Sequence, residues 1–313
     1  MRRRDLLAAL GAALVLPPSA RAAEHAELVP QPGRWRDWHQ DLAMANLVCP
    51  DAGERKRFLD NATAYSSTFR THPTLASPRG FDVMPVRGIR GDSLHEKPPH
   101  PIPGSLEFYT FWYFRGRDGQ VLCGDEASLV LNVIFNTLHP LWRHPVAEDE
   151  HGSMFWAPET VPSHSGVPRF AGGHLLTRRT EPPFVAAPVR RVLAAWLAAQ
   201  RHEQRNRPGD AFVAREADRL AAQLAALTPE EGAAPAWVVN DYNRILGKPG
   251  QKDAFAVLAE NPAFYDRSLP RTALQSAVVQ PFERNLSWDV PAVKAAREAL
   301  GKQAWPKLVA ALS

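Results

Sequence analysis

Cysteine is almost absent: the 313 residues contain two, Cys49 and Cys123. No Cys-x-x-Cys occurs, which argues against the dithiol redox proteins. No Gly-x4-Gly-Lys-Ser/Thr and no Gly-x-Gly-x2-Gly occur, so the backbone cradles that hold nucleotide phosphates have no signature here. Gly-x-Ser-x-Gly and Ser-x-x-Lys are missing too, which argues against the common serine hydrolases and the penicillin-binding enzymes. One-sided charge is also lacking. The chain has 37 basic and 33 acidic residues, but four arginines and one aspartate fall in residues 1–22. Residues 23–313 therefore carry 33 basic against 32 acidic groups, which gives no global attraction to nucleic acid.

What the chain does have is proline, 29 residues, about twice the usual share. Each removes an amide donor and restricts its neighbour, which disfavours a long-helix bundle. A hydrophobic content of 45% with 22% charged residues is that of a globular protein with a large core.

Residues 1–22 read as a removable export segment. Arg2, Arg3 and Arg4 precede an apolar run, Leu6–Leu16, that is too short for a bilayer, which needs about 20 residues. Pro17 and Pro18 end it, and Ala20-Arg21-Ala22 offers a small-x-small cleavage site. Arg3-Arg4-Asp5-Leu6-Leu7 resembles the twin-arginine export signal, and that resemblance implies a protein folded before export. General secretion is the alternative route. Either way the expected location is periplasmic or secreted, in a bacterium, with no transmembrane span after cleavage. In that oxidising setting the simplest expectation for Cys49 and Cys123 is a disulfide. Closing about 75 residues would stabilise the fold by roughly 4 kcal/mol.

Apolar spacing predicts a helix from Trp35 to Val48 and another over 54–70, with Phe58, Leu59, Ala62, Tyr65 and Phe69 inward. The aromatic run Leu106–Phe114 reads as a strand buried on both faces. Phe81–Val86, Gln120–Cys123, Leu129–Leu138 and Phe170–Thr177 join it as strands, while 139–168 reads as a surface loop or short hairpin. Helices follow from Pro188 and from Asp210, and Thr228-Pro229-Glu230-Glu231 has the form of a capping box. Residues 240–270 are mixed, Thr272–Phe282 alternates as a strand, and helices are expected over 291–300 and 303–311. The order predicts an α+β fold: a mainly antiparallel sheet from the middle of the chain, packed with a C-terminal helical half. Residues 23–313 read as a single domain, with a weak sub-boundary near 186.

Four sets of residues are chemical candidates. His139, His144 and His151, with Glu148, Asp149 and Glu150, are the densest set of divalent-metal donors, although Pro140 and Pro145 obscure their spacing. Arginines accumulate between 169 and 207, where Arg178, Arg179, Arg190 and Arg191 have the planar fork that grips carboxylate or phosphate. Trp142 and Trp156 flank the histidine-rich stretch and are candidate ligand-stacking surfaces. Ser163-His164 sets a nucleophile beside a base, but neighbours in an extended chain point apart. His95-Glu96-Lys97-Pro98-Pro99-His100 fails the zinc-protease spacing, because its second histidine is five residues on and two prolines bar the helix. The leading expectation is a cell-envelope protein that binds a ligand, an anionic envelope component or a small molecule, through 139–178. The alternatives are a periplasmic hydrolase, metal-assisted or not, and a structural partner of another envelope protein.

Overall fold

A computed structural model describes residues 29–37, 39–41, 48–71, 73–90, 100–116, 118–124, 128–142, 144–162, 166–281 and 305–313. The export segment, Trp38, residues 95–99, Ser163-His164-Ser165 and the helix expected over 291–300 lie outside the described residues.

The first strand, β1 (His39–Asp41), runs parallel to a later one. After it comes α1 (Ala52–Arg70), whose first turn is capped by the Asp51 carboxylate accepting from the Glu54 amide at 2.6 Å. Its buried stripe is Phe58, Leu59, Ala62, Tyr65 and Phe69, as the spacing predicts. One short turn, α2 (Pro73–Ala76), leads into β2 (Phe81–Ile89), β3 (Gly104–Arg115), β4 (Val121–Cys123) and β5 (Ser128–Phe135). β3 lies between β2 and β5, antiparallel to both, and β4 folds back on its far end.

The helix expected from Trp35 does not form at its start. Trp35 bridges to Val83, and the amides of Arg36 and Val83 donate to Val83 O and Arg34 O, so pairing with β2 supplies the bonds a helix would have made. The indole of Trp35 points into the core, 5.9 Å edge-on from Phe108, with its N–H on Leu75 O. Tertiary burial uses the same apolar residues in extended form.

After a 3-10 turn at His139–Leu141, β6 (Pro145–Asp149) and β7 (Gly152–Trp156) form a hairpin. Then come β8 (Thr160–Val161), β9 (Arg169–Phe170), β10 (Gly173–Thr177) and β11 (Phe184–Ala186). Three helices succeed them: α3 (Val189–Asn206), α4 (Ala211–Ala226) and α5 (Pro229–Ala233). Asp210 caps α4 and Thr228 with Glu231 closes the capping box of α5, both as the sequence indicates. Phe212 is 63% exposed, because it sits in the first turn beyond the buried stripe Val213, Ala217 and Leu220. Strands β12 (Trp237–Asn240), β13 (Ile245–Leu246), β14 (Phe255–Glu260) and β15 (Ser276–Pro281) follow, and α6 (Trp305–Ala310) comes last.

Two mainly antiparallel sheets result. One has nine strands in the order β1-β2-β3-β5-β15-β10-β9-β8, with β4 on β3. The other has six, in the order β13-β12-β14-β7-β6, with β11 on β14. The α+β class is therefore as read, and α3 and α4 lie on the six-stranded sheet through Val192, Leu193, Trp196, Leu220, Val238 and Val257. On the nine-stranded sheet, α1 and α6 bury Phe58, Tyr65 and Leu308 against Leu106, Phe108, Val133 and Val279. Burial of Phe58, Leu106, Phe108, Val133, Val279 and Leu308 contributes about 1.5–3 kcal/mol each. Gly104 makes this approach possible, since a Cβ there would stand 2.3 Å from the Phe58 ring.

The opposite face of the nine-stranded sheet is covered over β5, β15 and β10 by an apolar seam. Ile134, Leu175 and Val278 meet Leu138, Leu141, Phe170 and Phe264 there. Phe184 of the smaller sheet packs edge-on against Phe170 at 5.8 Å, so the sheets meet through aromatic rings.

Candidate functional site

Strand alternation places Leu106, Phe108, Leu131, Val133 and Val279 against α1. The intervening Glu107, Asn132 and Gln280 consequently lie on the other face. Register puts Asn132 directly opposite Glu107 on β3 and opposite Gln280 on β15. Three polar side chains thus form one row across three adjacent inner strands, with strands about 4.8 Å apart.

The row is partly satisfied. The Tyr109 hydroxyl donates to one Glu107 carboxylate oxygen at 2.8 Å, and the Arg90 guanidinium donates to the other. The Gln280 amide donates to Gly172 O at 2.6 Å. Asn132 is 5% exposed, and its Oδ1 accepts no hydrogen bond. A buried acceptor without a donor costs about 1–3 kcal/mol, so this atom calls for an explanation. Apolar surface borders the row: Val86 stands opposite Glu107 and Met84 opposite Tyr109, both half-buried.

Further along the same face, Asp82 pairs opposite Phe111. Asp82 accepts from the Arg34 amide at 3.0 Å, the Arg36 guanidinium at 3.0 Å and the Tyr113 hydroxyl at 2.8 Å. Burial works to raise its carboxyl, but these three donors outweigh it and hold it below the usual carboxylate range. The Arg36 guanidinium also lies 3.6 Å over the Phe111 ring and donates to Cys123 Sγ at 3.1 Å. Burial nevertheless pushes the Cys123 thiol up, with the Asp82 charge adding to it, so Cys123 is a poor nucleophile.

Most residues singled out in the sequence lie elsewhere and do not converge. The expected disulfide is not formed: Cys49 and Cys123 are both free. Cys49 sits by Glu54, whose partner Arg271 bonds His100 O just ahead of Gly104, whereas Cys123 pairs with Tyr113 near the other end of β3. Those ends are about 30 Å apart along the strand, against a limit of about 7 Å for a disulfide.

The expected metal trio is not assembled either. His139 packs on Trp142 at 4.6 Å, His144 on Trp156 at 4.9 Å, and His151 lies exposed in the turn of the β6–β7 hairpin. No group of three or more His, Cys, Asp and Glu side chains able to hold a metal occurs among the described residues. Trp142, a candidate ligand-stacking surface, is only 8% exposed and lies flat on Phe155 at 4.5 Å in the seam between the sheets. Trp156 is half-buried and stacks on Phe255 at 4.4 Å.

The four arginines have partners within the chain. Arg178 donates to Leu312 O, and Arg179 binds Glu181, Asp266 and Phe264 O. Arg190 donates to Leu227 O, and Arg191 grips Asp149 with two bonds of 2.8 Å. This fork ties α3 to β6, and it outweighs burial to hold the Asp149 carboxyl below its usual value.

Glu107, Asn132 and Gln280 were not singled out in the sequence, yet they leave a trace there. Each stands between two apolar neighbours: Leu106-Glu107-Phe108, Leu131-Asn132-Val133 and Val279-Gln280-Pro281. An interruption of this kind in an inner strand places a polar group where packing favours an apolar one. Three on one face become visible as a row only once register is known. No helix among the described residues is long and apolar enough to cross a membrane. Comparison with known proteins finds no family model, no curated protein and no solved structure that matches this chain.

Proposed function

We propose that this chain is an exported envelope protein that acts by binding, and that it holds a small molecule bearing O–H or N–H donors on the polar row of the nine-stranded sheet. The observation that carries this reading is the unpaired Asn132 Oδ1, buried in an inner strand beside the Glu107 carboxylate. A fold that keeps such an atom loses stability, and a bound donor would return it. The reading moves the binding site away from 139–178, where the arginines are engaged with other groups of the chain. Those engagements favour a small molecule over an anionic envelope component.

Native and denaturing mass spectrometry of the protein exported in its own host tests this reading. The wild-type native mass should exceed the denatured mass by a bound molecule, and Asn132→Leu should remove the excess. Equal masses in the wild type, or an excess that survives in Asn132→Leu and Glu107→Gln alike, would overturn it.

A further inference from the structure

Resting on that binding reading, we infer that the ligand is a neutral polyol of sugar size. The row offers acceptors: the Asn132 Oδ1 has two open lone pairs, and each Glu107 oxygen uses only one donor from Tyr109 or Arg90. Hydroxyl groups are the complement of such a surface.

Arg90 pairs with Glu107 and neutralises it, so an ammonium ligand meets no net negative charge. A carboxylate or phosphate brings only acceptors, and the open positions at Asn132 Oδ1 and on the Glu107 oxygens are acceptors too, so it gains no hydrogen bond there. Neutral donors are what remains.

Acceptors on adjacent strands are about 4.8 Å apart, the scale on which hydroxyls spread across one sugar ring. Beside them, Tyr109 and Met84 stand opposite each other on β3 and β2, and Val86 stands opposite Glu107. A sugar has hydroxyl edges and C–H faces, and an aromatic ring beside hydrogen-bonding groups suits both.

Saturation-transfer NMR on the full chain tests the class with named probes: glucose, N-acetylglucosamine and trehalose as neutral polyols, putrescine as a cation and succinate as an anion. At least one sugar should receive saturation from the wild type, with putrescine and succinate receiving none. Asn132→Leu should weaken that sugar about tenfold, the worth of one lost hydrogen bond, and Glu107→Gln should weaken it as well. Saturation of putrescine or succinate that disappears in Asn132→Leu would overturn the polyol class while leaving the binding reading intact. Saturation of no sugar, or of a sugar indifferent to both substitutions, would also overturn the class. The native mass measurement then judges the binding reading separately.

Discussion

Asn132 and Asn136 stand four residues apart, one within β5 and one just past its end, and both are buried. Asn136 uses its whole side chain. Its Nδ2 donates to Ile102 O and Ala273 O, each at 2.9 Å, and its Oδ1 accepts from the amides of Gln275 at 2.9 Å and Ser276 at 3.4 Å. Those four bonds tie the approach to β3, the exit of β5 and the approach to β15 at one point. Asn136 also has φ +56, a left-handed conformation that asparagine tolerates better than most residues. Asn132 lies in regular strand and has an empty acceptor. The same residue type at similar depth is a structural pin in one place and an unfilled valence in the other. Depth alone therefore does not tell these two asparagines apart, whereas their bonds do.

The comparison is broken most severely at the pin. Asn136→Ala strands two carbonyls and two amides and keeps the positive φ, so the fold should lose roughly 3 kcal/mol or more. Urea unfolding measures this, and a loss under about 1 kcal/mol would mean that the four bonds are not the anchor described. Asn132→Leu should act in the opposite direction. Removing an unpaired buried acceptor and adding apolar volume should raise stability by about 1 kcal/mol in the ligand-free protein, while binding weakens about tenfold. A destabilised Asn132→Leu would make Asn132 another pin and erase the contrast.

The sequence was legible where one element decides its own structure. The α1 stripe, the caps at Asp210 and Thr228 and the strand at Leu106–Phe114 follow from local spacing and chemistry. Trp35 was misread because its apolar spacing serves a helix and a sheet-bound segment equally, and pairing with Val83 decided. β13 and β14 lie inside the stretch 240–270 that reads as mixed, since each has only a few residues and relies on its partner strand. The candidate site was illegible for a related reason. Glu107, Asn132 and Gln280 are separated by 25 and by 148 positions, and only strand register makes them neighbours. The candidates that the sequence did show, such as Arg191 and Trp142, turned out to join α3 to β6 and to fill the seam between the sheets.

A smaller effect extends the contrast to ionisable groups. Asp82 resembles Asn136 in being bonded by several donors, and His174 resembles Asn132 in having a buried Nδ1 without a partner. His174 stacks on Trp305 of α6 at 4.5 Å, and burial, with the charge of Arg169 opposite it, pulls its pKa below 6.5. A lowered histidine favours the neutral form, so its stability is intact above pH 6.5 and is lost as pH falls toward the folded value. The Asp82 carboxyl, and with it Asp149, both lowered from 3.8, contribute stability above pH 3.8 that is lost as pH falls through their folded values. Stability should therefore fall in two separate acid steps. His174→Phe should remove the first and leave the second, as read by Tm across pH 7 to 3. An unchanged first step in that variant would assign it to another group.

The smallest expected effect is none at all, and it concerns the two ends of β3. Cys49 lies with Glu54 and Arg271 at the end that Asn136 ties together, and Cys123 lies beyond the Asp82 network at the other. Joining them would need one strand length of backbone movement and would break the β2–β3 register that aligns Val86, Glu107, Asn132 and Gln280. Tm with and without dithiothreitol should therefore coincide, and the denatured protein should titrate two thiols. A drop in Tm on reduction, with a mature mass two hydrogens light, would show the ends of β3 to be closer than its length allows, and the row of the candidate site would have to be redrawn.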